Sequence, residues 1–281
     1  MPGALVCGIE ALDEDVRALA VARGLSERLG LGLVAVHVVE NGAEPREAAA
    51  GRRLAEQAAE AYVSHPSGSR IEFGDPVRSL VTVVDEESAE MLVVGSRGMS
   101  PLRGALLGSV SMGVMASAPC PVVVVSRAAA LQGPRRGVEH EPGHSIVCGV
   151  DGSEDSLAGA SLASDLATRL ELRLVLAHVT QAGDDGSSAL HRAAATVSHR
   201  CAAEVRLEQG DPAARLDALA EQESAELIVV GSRGAGRVRS ALVGSVSARL
   251  AATARVPVVV LSPHVRLAAG SGEYELEEVV P

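Results

Sequence analysis

The sequence contains no lysine and no tryptophan, and its only aromatic side chains are Tyr62, Tyr274 and Phe73. The missing lysine excludes a P-loop lysine, a kinase-type lysine and a Schiff-base lysine. Phosphate binding by this chain must therefore rest on backbone N–H groups, hydroxyls, arginine or a metal ion. So few aromatics argue against a stacking platform for single-stranded nucleic acid. Positive charge is also short: 25 basic residues against 36 acidic give a net charge of −11. Such a chain repels phosphate backbones at long range, so no nucleic-acid partner is expected. No apolar run reaches the length of a membrane span, and no basic segment followed by an apolar stretch opens the chain. Neither a membrane anchor nor a signal peptide is expected. The four cysteines form no CxxC pair. Cys7 and Cys148 read as small buried hydrophobes in a reducing, cytoplasmic setting.

What the chain does have is a core-building share of aliphatics, with 47% apolar residues, and an internal repeat. "LVCGIE" from Leu5 aligns with "IVCGVD" from Ile146, and "LVAVHV" from Leu33 with "LVLAHV" from Leu174. "GDPVRSL" from Gly74 aligns with "GDPAARL" from Gly210, and "AEMLVVGSRG" from Ala89 with "AELIVVGSRG" from Ala225. "ALLGSVS" from Ala105 aligns with "ALVGSVS" from Ala241, and "CPVVVVS" from Cys120 with "VPVVVLS" from Val256. The offset falls from 141 to 136 residues between His178 and Gly210, where "TQAGDDGSS" marks a loop. The expected organisation is a first domain over 1–126, a linker over 127–144, a second domain over 145–265 and an acidic tail over 266–281. In the tail, "YELEEVV" is a candidate edge strand.

Within each copy, compact Val-rich runs alternate with helical stretches. Residues 5–9, 33–39, 91–94 and 122–125 read as strands buried on both faces of a parallel sheet. Residues 71–73 and 204–207 supply one more short strand per copy. Leu12, Val16, Leu19 and Ala20 share a helical face, and the Ala-rich stretch 47–63 reads as a helix. Asp75 before Pro76, and Ser153 before Glu154 and Asp155, are helix starts. The expected fold class is α/β: two tandem, doubly wound, five-stranded parallel-sheet domains of Rossmann-like type.

The chemistry sits after the fourth strand of each copy. Gly95-x2-Gly98 is followed by nine residues and then Gly108-Ser109; Gly231-x2-Gly234 is followed by nine and then Gly244-Ser245. In an open parallel sheet, ligands bind beyond the carboxyl ends of the strands. The first two glycines let the chain turn tightly and approach a ligand. The last opens a helix whose first N–H groups point into the same crevice, where an anion gains roughly 0.3–1 kcal/mol. The hydroxyls of Ser109 and Ser111 add hydrogen bonds there or touch a metal. A tight strand-to-helix connection is the plain alternative. Against it, the spacing recurs while the intervening text drifts from "MSPLRGALL" to "AGRVRSALV". GxxxxGK[ST], a GxGxxG after the first strand and GxSxG are all absent. His37 and His178 near the end of the second strand read as packing or polar anchors.

On these motifs the chain resembles a universal stress protein of the tandem, ATP-binding type. The resemblance rests on Gly-x2-Gly-x9-Gly-Ser in both copies, the "VCGVDGS" first strand and the "HV" second strand, and covers nearly all but the linker and the tail. It implies ATP, with a divalent cation such as Mg or Mn, in a nucleotide-dependent regulator of stress adaptation. It assigns Gly149, Asp151, Val179, Gly231, Gly234, Gly244, Ser245, Val246 and Ser247 to the second site. The matching first-copy set is Gly8, Glu10, Val38, Gly95, Gly98, Gly108, Ser109, Val110 and Ser111. Glu10 replaces the family's Asp, and Asp13, Glu14 and Asp15 add negative charge there, so the second copy is expected to bind more tightly. Two other readings compete: a slow ATPase or phosphoryl-transfer enzyme, against which no general base or lysine is placed near the glycines, and a nucleotide-free scaffold. No catalytic residue is assigned. The resemblance further implies that residues 122–125 and 258–261 are edge strands. Such aliphatic edges need cover, so they are expected to pair with each other in an intrachain pseudo-dimer. A further homo-dimer and a protein partner stay open.

Adding bulk and negative charge at the phosphate turn blocks an anion. Gly98→Glu and Gly234→Glu are each expected to abolish ATP binding at their own site. Wild-type affinity in both variants, by isothermal titration, would sink the phosphate-turn reading.

Overall fold

A computed structural model describes residues 3–10, 12–40, 49–51, 53, 68–96, 107–129, 144–180, 186–197, 201–233, 243–262, 264 and 265. The first half contains β1 (Ala4–Ile9), α1 (Leu12–Leu29), β2 (Gly32–Val39), β3 (Ser69–Phe73), α2 (Pro76–Glu86), β4 (Ala89–Gly95), α3 (Ser109–Ser117) and β5 (Val122–Val125). The second contains β6 (Ser145–Gly149), α4 (Glu154–Leu170), β7 (Arg173–Thr180), α5 (Ser187–Val197), β8 (Ala203–Gln209), α6 (Pro212–Gln222), β9 (Ala225–Gly231), α7 (Ser245–Thr253) and β10 (Val258–Leu261). Strand positions follow the Val-rich runs; β3 and β8 extend further than their short apolar cores suggest. The stretch 47–63 lies largely outside the described residues, where 49–51 and 53 are helical. The candidate strand in the tail lies outside them altogether.

Helix starts follow local chemistry. The Asp75 and Asp211 carboxylates accept the N–H groups of Arg78 and Ala214, with proline at the first helical position of α2 and α6. Ser153 caps α4 by accepting the Ser156 N–H, and Glu154 and Asp155 sit favourably in the first turn.

The ten strands form one sheet in the order β3-β2-β1-β4-β5-β10-β9-β6-β7-β8. Every pairing within a half is parallel; β5 and β10 meet antiparallel, with Val122, Val123 and Val124 opposite Val260, Val259 and Val258. The two aliphatic edges thus cover each other, as their composition requires. The apolar core is continuous across this seam on both faces. On one face, Val123, Val125, Val259 and Leu261 join the core beneath α1, α4 and α5. On the other, Val122, Val124, Val258 and Val260 join the core beneath α2, α3, α6 and α7.

Polar ties across the seam come in reciprocal pairs. Ser126 Oγ donates to the Ala254 carbonyl (2.5 Å), and its counterpart Ser262 Oγ donates to the Ala118 carbonyl (2.7 Å). Arg28 binds the Leu170 carbonyl (2.6 Å) and Glu226. Its counterpart Arg169 binds the Leu29 carbonyl (3.3 Å) and Glu90 (2.7 Å). Each arginine neutralises the carbonyl-rich end of the other half's first helix. Val124→Glu or Val260→Glu buries an unpaired carboxylate in this seam. Either is expected to cost on the order of 4 kcal/mol or more, read as a shifted denaturant midpoint with aggregation on gel filtration. Wild-type stability of both variants would show that the seam does not hold the halves together.

Candidate nucleotide site

In each half the strand order reverses between the first and fourth strands, which lie side by side and send their following helices to opposite faces of the sheet. In the first half β1 leads to α1 on one face and neighbouring β4 leads to α3 on the other; in the second, β6 and β9 do the same with α4 and α7. Such switch points open a crevice at the strands' carboxyl ends. β1 and β4 are last in register at Cys7↔Val93, after which β1 runs on to Ile9 and β4 to Gly95. The first half therefore opens beside Glu10 and Gly95, and the second beside Asp151 and Gly231.

The glycine turns are built alike in both copies. Gly108 N–H donates to the Ser96 carbonyl (2.8 Å), and Ser111 Oγ donates to the Gly95 carbonyl (2.7 Å). In the second copy Gly244 N–H donates to the Ser232 carbonyl (2.6 Å), and Ser247 Oγ to the Gly231 carbonyl (2.6 Å). Ser96 and Ser232 N–H groups are anchored on Val125 and Leu261 of the adjacent strands. Two bonds thus clamp the start of α3 or α7 to the end of the preceding strand. The hydroxyl protons of Ser111 and Ser247 are committed to this clamp. Gly108 and Gly244 are the N-cap residues, and neither helix start receives a side-chain cap. The first-turn residues Ser109, Val110 and Ser111, and Ser245, Val246 and Ser247, present their N–H groups in the arrangement that receives an anion. Gly98 and Gly234 lie outside the described residues.

Other assigned residues divide by role. Val38 and Val179 sit beyond the last register pairs of β1 with β2 (Ile9↔His37) and of β6 with β7 (Gly149↔Ala177), at the crevice end of their strands. The neighbouring histidines are anchors: Nδ1 of His37 lies 3.0 Å from the Ile9 carbonyl and Nδ1 of His178 lies 2.7 Å from the Val150 carbonyl. A carbonyl only accepts, so Nδ1 carries the proton and each ring ties β2 or β7 to the end of the first strand. Gly8 and Gly149 are packing glycines. A Cβ on Gly149 would fall 2.8 Å from Leu216 Cδ1, and one on Gly8 would fall 3.2 Å from Leu80. Burial pushes the Cys7 thiol well above its ordinary range and the Cys148 and Cys120 thiols up to about 12, as expected of core thiols.

The two crevices differ in charge. The Asp151 carboxylate accepts from the N–H and hydroxyl of Ser153 (3.0 and 2.6 Å), and its own N–H donates to Ser156 Oγ (3.3 Å). In the first half Glu10 N–H donates instead to the carboxylate of Asp15 (2.6 Å), which is only 4% exposed and stands where Ser156 stands. The sequence names Asp15 as one acid among three; only the fold shows it doing the duty of a neutral serine. Sequence reasoning also left Asp155 and Arg233 unassigned, although they form an ion pair at the second crevice. Among the described residues no cluster of acidic, histidine or cysteine side chains is arranged to hold a metal ion, and no helix is long and apolar enough to cross a membrane.

The model of the universal stress protein family matches residues 1–126 and 143–262. A universal stress protein of Mycobacterium tuberculosis is 33% identical over 224 residues, covering 74% of this chain and 73% of that one. The crystal structure of a universal stress protein from Archaeoglobus fulgidus aligns with 92% of this chain and 98% of its own, at a TM-score of 0.69 and 22% identity. A universal stress protein solved in complex with cAMP aligns with 43% of this chain and 97% of its own, at 28% identity and a TM-score of 0.38.

Gly231 permits the close approach of β9 to α4. A Cβ there would lie 2.9 Å from Asp155 Cβ and 3.0 Å from its backbone carbon, which cannot move aside cheaply. Gly231→Ala is expected to destabilise the chain by about 1–3 kcal/mol, and Gly149→Ala, which meets side-chain methyls of Leu216 and Val230 rather than backbone, by less. Equal denaturant midpoints for wild type and Gly231→Ala would refute this packing account.

Proposed function

This chain belongs to the universal stress protein family, and from that premise we propose that it is an ATP-binding regulator of stress adaptation whose second half holds the tighter nucleotide site. The observation that carries the reading is the twice-built turn. In both halves a hydroxyl and an N–H clamp an uncapped helix start to the strand beside a switch-point crevice. A connection that merely reversed the chain would not need the helix start kept clear of side-chain caps. Phosphates then lie on the N–H groups of residues 109–111 or 245–247, and the nucleoside lies toward Asp151 and the backbone of Val179. The proposed domains are 1–126 and 145–265, with the linker and tail outside the sites.

A metal ion fits only in part. The hydroxyls of Ser111 and Ser247 already serve the clamp, which leaves Ser109 and Ser245 as the hydroxyl donors at the turn. A divalent cation that arrives with the nucleotide supplies charge neutralisation to the phosphates. The proposal contains no hydrolytic step.

Mass spectrometry of nucleotide released from freshly purified protein is the direct test, and ATP is the expected species. Recovery of no nucleotide, together with no heat on titration with ATP or cAMP, would exclude the reading. Asp151→Ala is expected to lower ATP affinity more than Glu10→Ala in isothermal titration; the opposite order would make the first half the tighter site.

A further inference from the structure

Arg233 follows the end of β9 and reaches back to Asp155 in the first turn of α4. Its Nε lies 3.2 Å from Oδ2 and its Nη2 lies 3.5 Å from Oδ1; Ser232 Oγ lies 3.4 Å from Oδ2. Asp155 belongs to the helix that follows β6 and Arg233 to the connection that follows β9, so the pair ties together the segments that leave the two strands flanking the second crevice. Arg233 is also one residue from the Ser232 carbonyl that clamps the uncapped start of α7.

The pair is loose. Charge-assisted arginine–carboxylate bonds run at about 2.7–2.9 Å, as for Arg70 to Glu86 at 2.7 Å, Arg169 to Glu90 at 2.7 Å and Arg173 to Glu204 at 2.8 Å; Arg233 belongs instead with the longer pairs, such as Arg173 to Glu223 at 3.2 Å and Arg255 to Asp217 at 3.7 Å. The Arg233 side chain is 36% exposed, twice its Asp155 partner at 18%. Asp155 loses little if its partner leaves, because a carboxylate in the first turn of α4 is already favoured by the helix dipole. The guanidinium gains by leaving for a phosphate, which accepts two parallel N–H bonds and carries more charge than a carboxylate. In a chain without lysine, an arginine at this place supplies a cation beside the N–H groups of the turn.

We propose that Arg233 is the phosphate-reading residue of the second half, held on Asp155 in the nucleotide-free chain and transferred to the outer phosphates of a nucleoside di- or triphosphate on binding. This selects di- and triphosphates over monophosphates and nucleosides. It rests on the nucleotide reading of the site and adds to it the ligand class and the residue that sets it.

The test is isothermal titration of the full chain with ATP, AMP and adenosine, for wild type, Arg233→Gln, Arg233→Lys and Asp155→Asn, with thermal midpoints confirming that each variant folds. Arg233→Gln is expected to weaken ATP about tenfold while leaving adenosine within twofold. Arg233→Lys, which restores a point charge, is expected to recover part of the loss. Asp155→Asn removes the competitor and is expected to strengthen ATP two- to threefold. Unchanged ATP affinity in Arg233→Gln, or equal losses for ATP and adenosine, would overturn the proposal. So would an Asp155→Asn variant that weakens ATP as much as Arg233→Gln, since the pair would then be a structural staple. Should Arg233→Gln not fold, Arg233→Lys and Asp155→Asn decide by the same ratios. If wild type binds neither ATP nor adenosine, the nucleotide reading falls and this inference with it; if wild type binds ATP and Arg233→Gln is indifferent, only the inference falls.

Discussion

The antiparallel contact between β5 and β10 organises the rest of the molecule. Each strand is a run of four aliphatic residues, fully buried, with no charge in it. Left alone, either would present a row of unpaired backbone groups flanked by valine, the edge most prone to join another chain. Paired, they turn two five-stranded sheets into one of ten strands and fuse the apolar cores on both faces. The pairing is pseudo-two-fold, so each favourable contact across it occurs twice. The serine–carbonyl and arginine–carboxylate ties show this residue by residue: Ser126 with Ser262, Arg28 with Arg169, Glu90 with Glu226.

That geometry also disposes the two crevices. Strands are parallel within a half and antiparallel across the seam, so the carboxyl ends of the two half-sheets point in opposite directions. The crevices therefore open at opposite ends of the slab. Each phosphate-turn helix is held at both of its ends. Its start is clamped by its own turn, through Ser111 or Ser247. The carbonyl just past its last turn, Ala118 or Ala254, accepts the hydroxyl of the other half's serine. The seam thus does more than cover an edge; it fixes the far end of the helix whose near end opens on the crevice.

Much of this was legible in the sequence because the signals are local. Val-rich runs locate buried parallel strands, and Asp-Pro and Ser-Glu-Asp locate helix starts, since a cap needs only the residues beside it. The glycine turn was legible through repetition, which separated its two fixed ends from a drifting middle. The roles of single side chains were not. Gly8 and Gly149 sit in the same text as the residues expected at the site, yet their lack of a Cβ answers to Leu80 and Leu216 on other elements. Ser111 and Ser247 resemble free hydroxyl donors until the fold brings the Gly95 and Gly231 carbonyls to them. The pairing of Asp155 with Arg233 spans 78 residues and has no local signature.

The two halves have diverged in charge more than in shape. At the end of the first strand both need an acceptor for the N–H of residue 10 or 151, five positions on in the following helix. The second half meets the need with the neutral hydroxyl of Ser156; the first meets it with the carboxylate of Asp15, at a shorter distance. The helix start stabilises that carboxylate, and its field reaches Cys7, whose thiol it helps to push up. The same field acts on anything anionic brought to the first crevice. Glu10 itself is only one methylene longer than Asp151 at the matching position and carries the same charge. A buried negative charge beside a phosphate site acts further, because low surrounding polarity lengthens its reach. The weaker nucleotide site proposed for the first half therefore has its physical cause in Asp15 more than in Glu10. The strand order is the same in both halves, and a buried carboxylate stands where the second half has a serine hydroxyl.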